Sequence, residues 1–278
     1  WTDQGSPLLV ISKQQRQALR TRLEQIHPGR FKVGLAMRYG NPSIGDALAA
    51  LNQAGVRRLL ILPLYPQYSA TTTASIFDAV STELRAWRWL PELRFINHYH
   101  DHAGYIAALA ETVRTYWAEQ GRPDKLLMSF HGIPQDYFMA GDPYHCECQK
   151  TGRLLADALE LSPQQWQLSF QSRLGPKQWL QPYTNQTLEQ LAREGVKKVH
   201  LVCPGFSADC LETLEEVAME NRDIFLAAGG ERYEYIPCLN DDVEHIAMLT
   251  NLADRHMQGW QTSLDDPAQT RERAIALG

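Results

Sequence analysis

The 278-residue chain has few cysteines, five in all, and an odd number of them. That is too few for a disulfide framework at this length, and the odd count fits the reduced thiols of the cytoplasm. No apolar run approaches the roughly 18–20 residues that span a bilayer, and no signal-peptide pattern is found. A cytoplasmic protein is expected, with peripheral membrane association left open. Excess positive charge is also lacking: 27 basic against 32 acidic residues give a net charge of -5, so no global field favours DNA or RNA, and no nucleic-acid partner is expected. The common catalytic signatures are missing too. There is no G-x-G-x-x-G after a strand, no G-x-x-x-x-G-K-[ST], no G-x-S-x-G and no H-E-x-x-H. What remains is small-molecule chemistry run by histidine and carboxylates.

What is present is a duplication. "GVRRLLILPLYPQYSATTTASI" (55–76) and "GVKKVHLVCPGFSADCLETLEE" (195–216) both run from Gly-Val through two basic residues into an apolar strand, then proline, an aromatic, small residues and a helix. Upstream, "MRYGNPSIGDALAALNQAGV" (37–56) is matched by "QSRLGPKQWLQPYTNQTLEQLAREGV" (171–196). Each is a turn followed by an amphipathic helix that stops at glycine. Copies so far apart indicate two similar domains rather than a repeat array. The short strands "RLLIL", "DKLLMSF", "VHLV" and "ERYEYI" alternate with helices, the pattern of parallel sheets covered on both faces. The fold expected is α/β with an N-terminal domain over 1–121, a C-terminal domain over 122–260 and a polar tail over 261–278. The first residues read as a loop and a helix, so the opening domain is expected to lack its first strand.

Ligands of such sheets bind beyond the carboxyl ends of the strands, and two clusters fall there. Asp209 and Glu212 have the spacing of a helix cap and its third residue, which as a capping box would be structural. Glu212, Glu216 and Glu220 continue at intervals of four, one stripe of a helix, where like charges repel by about 0.2–0.5 kcal/mol per pair. Such a row suits proton conduction or a divalent metal. In "LLMSFHGIPQDYFMAGDPYH" (126–145) His131 ends an apolar strand, and imidazole accepts protons near neutral pH.

Taken together, "SFHGIP", "GDPY", "FQSRLGPKQWLQPYT", "CPGFSADCLETLEE" and "LYPQYSATTTAS" resemble the ferrochelatase family, in its proteobacterial form, up to about residue 255. The resemblance implies two Rossmann-like domains (the chelatase fold) with a porphyrin cleft between them, and a lyase of haem biosynthesis that inserts ferrous iron into protoporphyrin IX. It implies His131 and Glu212 as catalytic and metal-handling residues and Glu216 and Glu220 as the relay. Arg38, Tyr39, Trp179, Phe206 and Asp209 would line the porphyrin pocket, with Gln171, Ser172 and Arg173 at its rim; for Trp179, core packing is the alternative. Fe2+ would be a substrate, no organic cofactor is expected, and both monomer and homodimer stay open. Two departures stand out. Cys210 occupies a position where many animal members carry histidine, and the family's opening strand and porphyrin-covering lip precede the match to Trp1.

Lesser features absorb little. "HYHDH" (98–102) is expected to enter a helix, where His98, His100 and His102 no longer share a face, so no metal site is assigned to it. Cys146 and Cys148 could suggest cluster ligands, but a [2Fe-2S] centre is not expected. Two rivals remain: a cobalt or nickel chelatase of the same fold, and a non-catalytic tetrapyrrole or haem carrier.

Overall fold

A computed structural model describes residues 5–260; the polar tail expected over 261–278 lies outside the described residues. Helix α1 (Pro7–Ile26) opens at Ser6, whose hydroxyl accepts the Leu9 N–H at 3.3 Å, the usual way a serine satisfies an orphan amide. The chain then runs extended to α2 (Ile44–Gln53), β1 (Arg58–Ile61), a π-helical turn (Ala70–Ala74), α3 (Ser75–Leu84), β2 (Glu92–Phe95) and α4 (Ala103–Gln120). The second half comprises β3 (Lys125–His131), α5 (Gln135–Met139), α6 (Tyr144–Ala158), β4 (Trp166–Gln171), α7 (Thr184–Arg193) and β5 (Lys198–Val202). A π-helix (Glu212–Glu220), α8 (Asn221–Ala227), β6 (Arg232–Ile236) and α9 (Val243–Met257) complete it.

All strand pairings are parallel. β1 pairs with β2, and the larger sheet has the order β4-β3-β5-β6. β3 is apolar from Leu126 to Met128 and at Phe130, and buried from Leu126 to Phe130, because both its faces are covered. Leu126, Met128 and Phe130 join the core formed with α4, α6 and α9, whereas Leu127 joins the core with α7, α8 and the π-helix. The alternation follows from the two-residue period of a strand. A third, smaller core sits on β1, where Leu59 meets Ile44 and Leu48 of α2 and Val80 and Leu84 of α3. Helix α4 packs on α6 and α9 against the larger sheet, while α9 returns to α1 and β1. The helices therefore interlock the two halves.

The duplication is visible bond by bond. The Met37 N–H donates to the Pro42 carbonyl at 2.8 Å, and the Phe170 N–H donates to the Pro182 carbonyl at the same distance. Each proline follows a cis peptide bond and immediately precedes the start of a helix. Both copies also place a π-helical segment after the loop that leaves the strand. By this register Arg38 in the first copy corresponds to Gln171 in the second.

The structure departs from two local expectations. The acidic segment is π-helical over Glu212–Glu220, not α-helical, and Leu211, not Asp209, takes the cap position. "HYHDH" does not enter a helix at His98: the chain stays irregular through Tyr99, turns at His100 and Asp101, and α4 starts at Ala103 with His102 accepting the Gly104 N–H at 3.2 Å.

Candidate active site

The register of the larger sheet brings the site together. His131 and Gln171 end β3 and β4 as direct partners. β5 stops opposite Met128, so the chain leaving Val202 turns across the ends of the longer strands and brings Glu212 to them. Close approach at this corner requires Gly132: a Cβ there would lie 3.0 Å from the Ser172 carbonyl and 3.1 Å from that of Gln171. Its N–H donates to the Gln171 carbonyl at 2.7 Å.

His131 Nδ1 lies 2.5 Å from the Gly132 carbonyl oxygen. A carbonyl only accepts, so Nδ1 carries the hydrogen and the Nε2 lone pair is left to take a proton. Nε2 stands 3.8 Å from Glu212 Oε1. The Trp179 ring lies beside the imidazole, with centroids 6.3 Å apart, and its indole N–H donates to the Leu174 carbonyl at 3.1 Å.

The same Glu212 oxygen, Oε1, accepts from two donors, the Gln171 side-chain amide at 2.9 Å and the Ser172 hydroxyl at 2.7 Å. Gln171 is itself fixed, because its carbonyl oxygen accepts from Ser129 at 2.7 Å. The Ser172 hydroxyl also meets Glu216 at 2.6 Å, and its backbone N–H donates to Glu216 at 3.1 Å. Ser172 is left-handed at φ 56°, an uncommon conformation for a residue with a side chain. One hydroxyl has one hydrogen to give and lone pairs to receive another. Ser172 thus links two carboxylates in a geometry that can accept a proton from one and donate its own to the next. Glu220, farther along the π-helix, is exposed.

These groups open on a cleft of about 2130 Å³ between the two halves, larger than the roughly 300–1,000 Å³ of common small-molecule sites. His131, Trp179, Phe206 and Glu212 line it from one side and Arg38 and Tyr65 from the other. Arg38 is anchored by Ser75, whose hydroxyl and carbonyl accept from Nε at 2.7 and 3.0 Å. Burial, aided by neighbouring Tyr39, pushes the Tyr65 phenol above its ordinary pKa, against the opposing pull of Arg38. The cleft also runs along the edge of β1 past Leu35, Leu59 and Ile61, a largely apolar channel.

Two expected wall residues stand elsewhere. Tyr39 is 76% exposed beneath the Arg38 guanidinium, 4.6 Å from it, and is not part of the lining. Asp209 is buried behind the wall. It accepts from Tyr235 at 2.5 Å, Thr213 at 3.0 Å and Asn240 at 2.8 Å, so it orients the start of the π-helix instead of facing a ligand. Cys210 does line the cleft, and burial pushes its thiol up. Nothing in the local sequence singles out Tyr65, and the family resemblance puts Gln171 and Ser172 only at the rim. A hint was available in the duplication, which sets Tyr65 and Phe206 at matching points after their strands.

Comparison with known proteins gives the family and the fold. The profile of the Ferrochelatase family matches residues 2–257. The ferrochelatase of Thioalkalivibrio sulfidiphilus is 53% identical, the match covering 100% of this chain and 78% of that protein. That of Nitrosococcus oceani is 52% identical with the same coverage. Among solved structures, SirB from Bacillus subtilis with Fe3+ superposes with a TM-score of 0.62 at 12% identity, covering 91% of this chain and 92% of SirB. The sirohydrochlorin chelatase SirB in complex with cobalt gives 0.60 at 10% identity, covering 91% and 93%. At such low identity the likeness is one of fold, and that fold is the α/β chelatase type. With the family profile spanning nearly every residue and close relatives matching the whole chain, the protein belongs to the ferrochelatase family.

Proposed function

We propose that the protein inserts ferrous iron into protoporphyrin IX, releasing the two pyrrole protons and forming protohaem, with His131 and Glu212 as the reacting side chains. Residues 1–121 and 122–260 act in this reading as the two walls of the cleft. The observation that carries it is the His131 Nε2 lone pair facing Glu212 at 3.8 Å at the ends of β3 and β4, with Glu212 joined through Ser172 to Glu216.

A flat porphyrin keeps its pyrrole nitrogens in the ring plane, where neither a metal nor a base reaches them along a lone pair. Holding the macrocycle bent costs about 1–5 kcal/mol, supplied by contact with the rest of the ring, here from Trp179, Phe206 and Tyr65. His131 Nε2 takes a pyrrole proton and Glu212 receives it or its partner. Ser172 hands it to Glu216, and exposed Glu220 completes the row toward water. Imidazole and carboxylate also suit borderline divalent ions, so Fe2+ enters as substrate along the same donors and Zn2+ can replace it in the assay.

Anaerobic insertion of Fe2+ and Zn2+ into protoporphyrin IX by this chain and by His131→Ala tests the reading. Turnover that the substitution abolishes is expected. Tight porphyrin binding without turnover in the unsubstituted chain would overturn it in favour of a tetrapyrrole carrier.

A further inference from the structure

A second constellation lies away from the cleft. After β2 an irregular stretch leads into a turn at His100 and Asp101; the imidazoles of His98 and His100 reach one carboxylate, while Tyr99 is buried and bonds to the Ser207 hydroxyl at 3.0 Å. From α6, Glu147 reaches between the two imidazoles. Oε1 lies 2.8 Å from His98 Nδ1, and Oε2 lies 3.1 Å from His100 Nδ1. The rings meet edge-on with centroids 4.9 Å apart, and donor atoms of all three residues fall within 4.8 Å of one another.

A plain ion pair leaves one part of this arrangement unexplained. The His100 side chain is 7% exposed, and its Nδ1 is buried without a hydrogen bond. That nitrogen is close to the carboxylate but not aligned to donate a proton to it, and a buried unsatisfied nitrogen is costly. A cation lying among the three residues would satisfy it. Metal–nitrogen and metal–oxygen bonds of ~2.0–2.2 Å in a tetrahedron set donors ~3.3 Å apart, near the spacings seen here. The surroundings also hold the donors in place. The Tyr68 N–H donates to Glu147 Oε2 at 2.7 Å, and Thr151 donates to the His100 carbonyl at 2.9 Å. Asp101 stands 4.0 Å from His100 Nε2 and is tied to Lys150 at 2.6 Å. The His98 side chain is 46% exposed, which leaves an entry path and room for a water.

We propose that His98, His100 and Glu147 form a second metal site, distinct from the cleft. It takes one borderline divalent transition-metal ion, of the Zn2+ or Co2+ class, with water as the fourth ligand. Two neutral imidazoles and a carboxylate are donors suited to such ions. The bound ion would tie the β2–α4 connection to α6 and, through Tyr68, to the loop after β1. It serves the fold, not the insertion chemistry.

The test uses the full chain carrying Cys146→Ser, which removes the exposed thiol next to Glu147, and Glu212→Gln, which weakens metal binding in the cleft. After chelator treatment, Co2+ is titrated and followed by the visible d–d bands of four-coordinate cobalt and by melting temperature. One Co2+ per chain, displaced by Zn2+ and raising the melting temperature, is expected. His98→Ala should weaken it by more than the roughly 10- to 100-fold that an outer-shell loss costs. Since His98 is half-exposed, that variant should fold, and zinc insertion by the chain with Glu212 intact should be unchanged. Cobalt titrations that superpose with and without His98, or no four-coordinate cobalt at all, would overturn the proposal.

Discussion

Ser172 offers a sharp test of the proton path. Its hydroxyl contacts Glu212 at 2.7 Å and Glu216 at 2.6 Å, so Ser172→Ala removes the link while leaving both carboxylates in place. A hydrogen bond to a charged group contributes about 1.5–3 kcal/mol, equivalent to about 10- to 150-fold at 1.4 kcal/mol per decade. The site is partly open, and water can replace some of the relay. A fall in kcat for zinc insertion of about 10- to 100-fold is therefore expected, at the low end of general acid–base effects, with porphyrin binding little changed. The φ of 56° gives a control. Ser172→Gly also lacks the hydroxyl but relaxes the left-handed backbone, so the two variants should lose rate alike. If the glycine variant works at the normal rate, backbone geometry and not the hydroxyl is what matters. Near-normal rates in both would refute the relay.

Asp209→Ala should destabilise the fold by about 3 kcal/mol, since it removes the acceptor of buried Thr213 and of half-buried Tyr235 and Asn240 at about 1–3 kcal/mol for such losses; urea denaturation measures it. Buried His200 has its pKa pushed down to about 4 by burial, and the unfolded chain, with the ordinary value of 6.5, binds the proton first as pH falls. Its contribution is present above pH 6.5 and is lost on the way down to about pH 4, by at most about 3 kcal/mol. His200→Phe should flatten that part of the stability–pH profile, and an unaltered profile would contradict the assignment.

The parallel strands alternating with helices and the approach of His131 and Glu212 are legible because each rests on local signals: an apolar run, a turn and an acidic helix after a duplicated Gly-Val start. Ser172 was not, because its role depends on a left-handed backbone in an irregular connection and on two carboxylates from another element. The pocket position that the family resemblance implies for Asp209 gives way to a structural one, as the cap spacing allows, but with other partners than a cap has. The Asp-x-x-Glu spacing fits an α-helix cap, but i→i+5 bonding opens the segment at Glu212 and leaves Asp209 free to receive Tyr235. His98 and His100 looked unrelated as helical residues. The irregular chain ahead of α4 brings both to one carboxylate, that of Glu147 far along the sequence.

The most direct test of the account is Glu212→Gln, which keeps the shape and the donors around position 212 but removes the carboxylate. Protoporphyrin binding and anaerobic iron insertion would be measured on the same preparation. Binding close to that of the unsubstituted chain with insertion abolished is expected; insertion at a near-normal rate would show that Glu212 is not a reacting group.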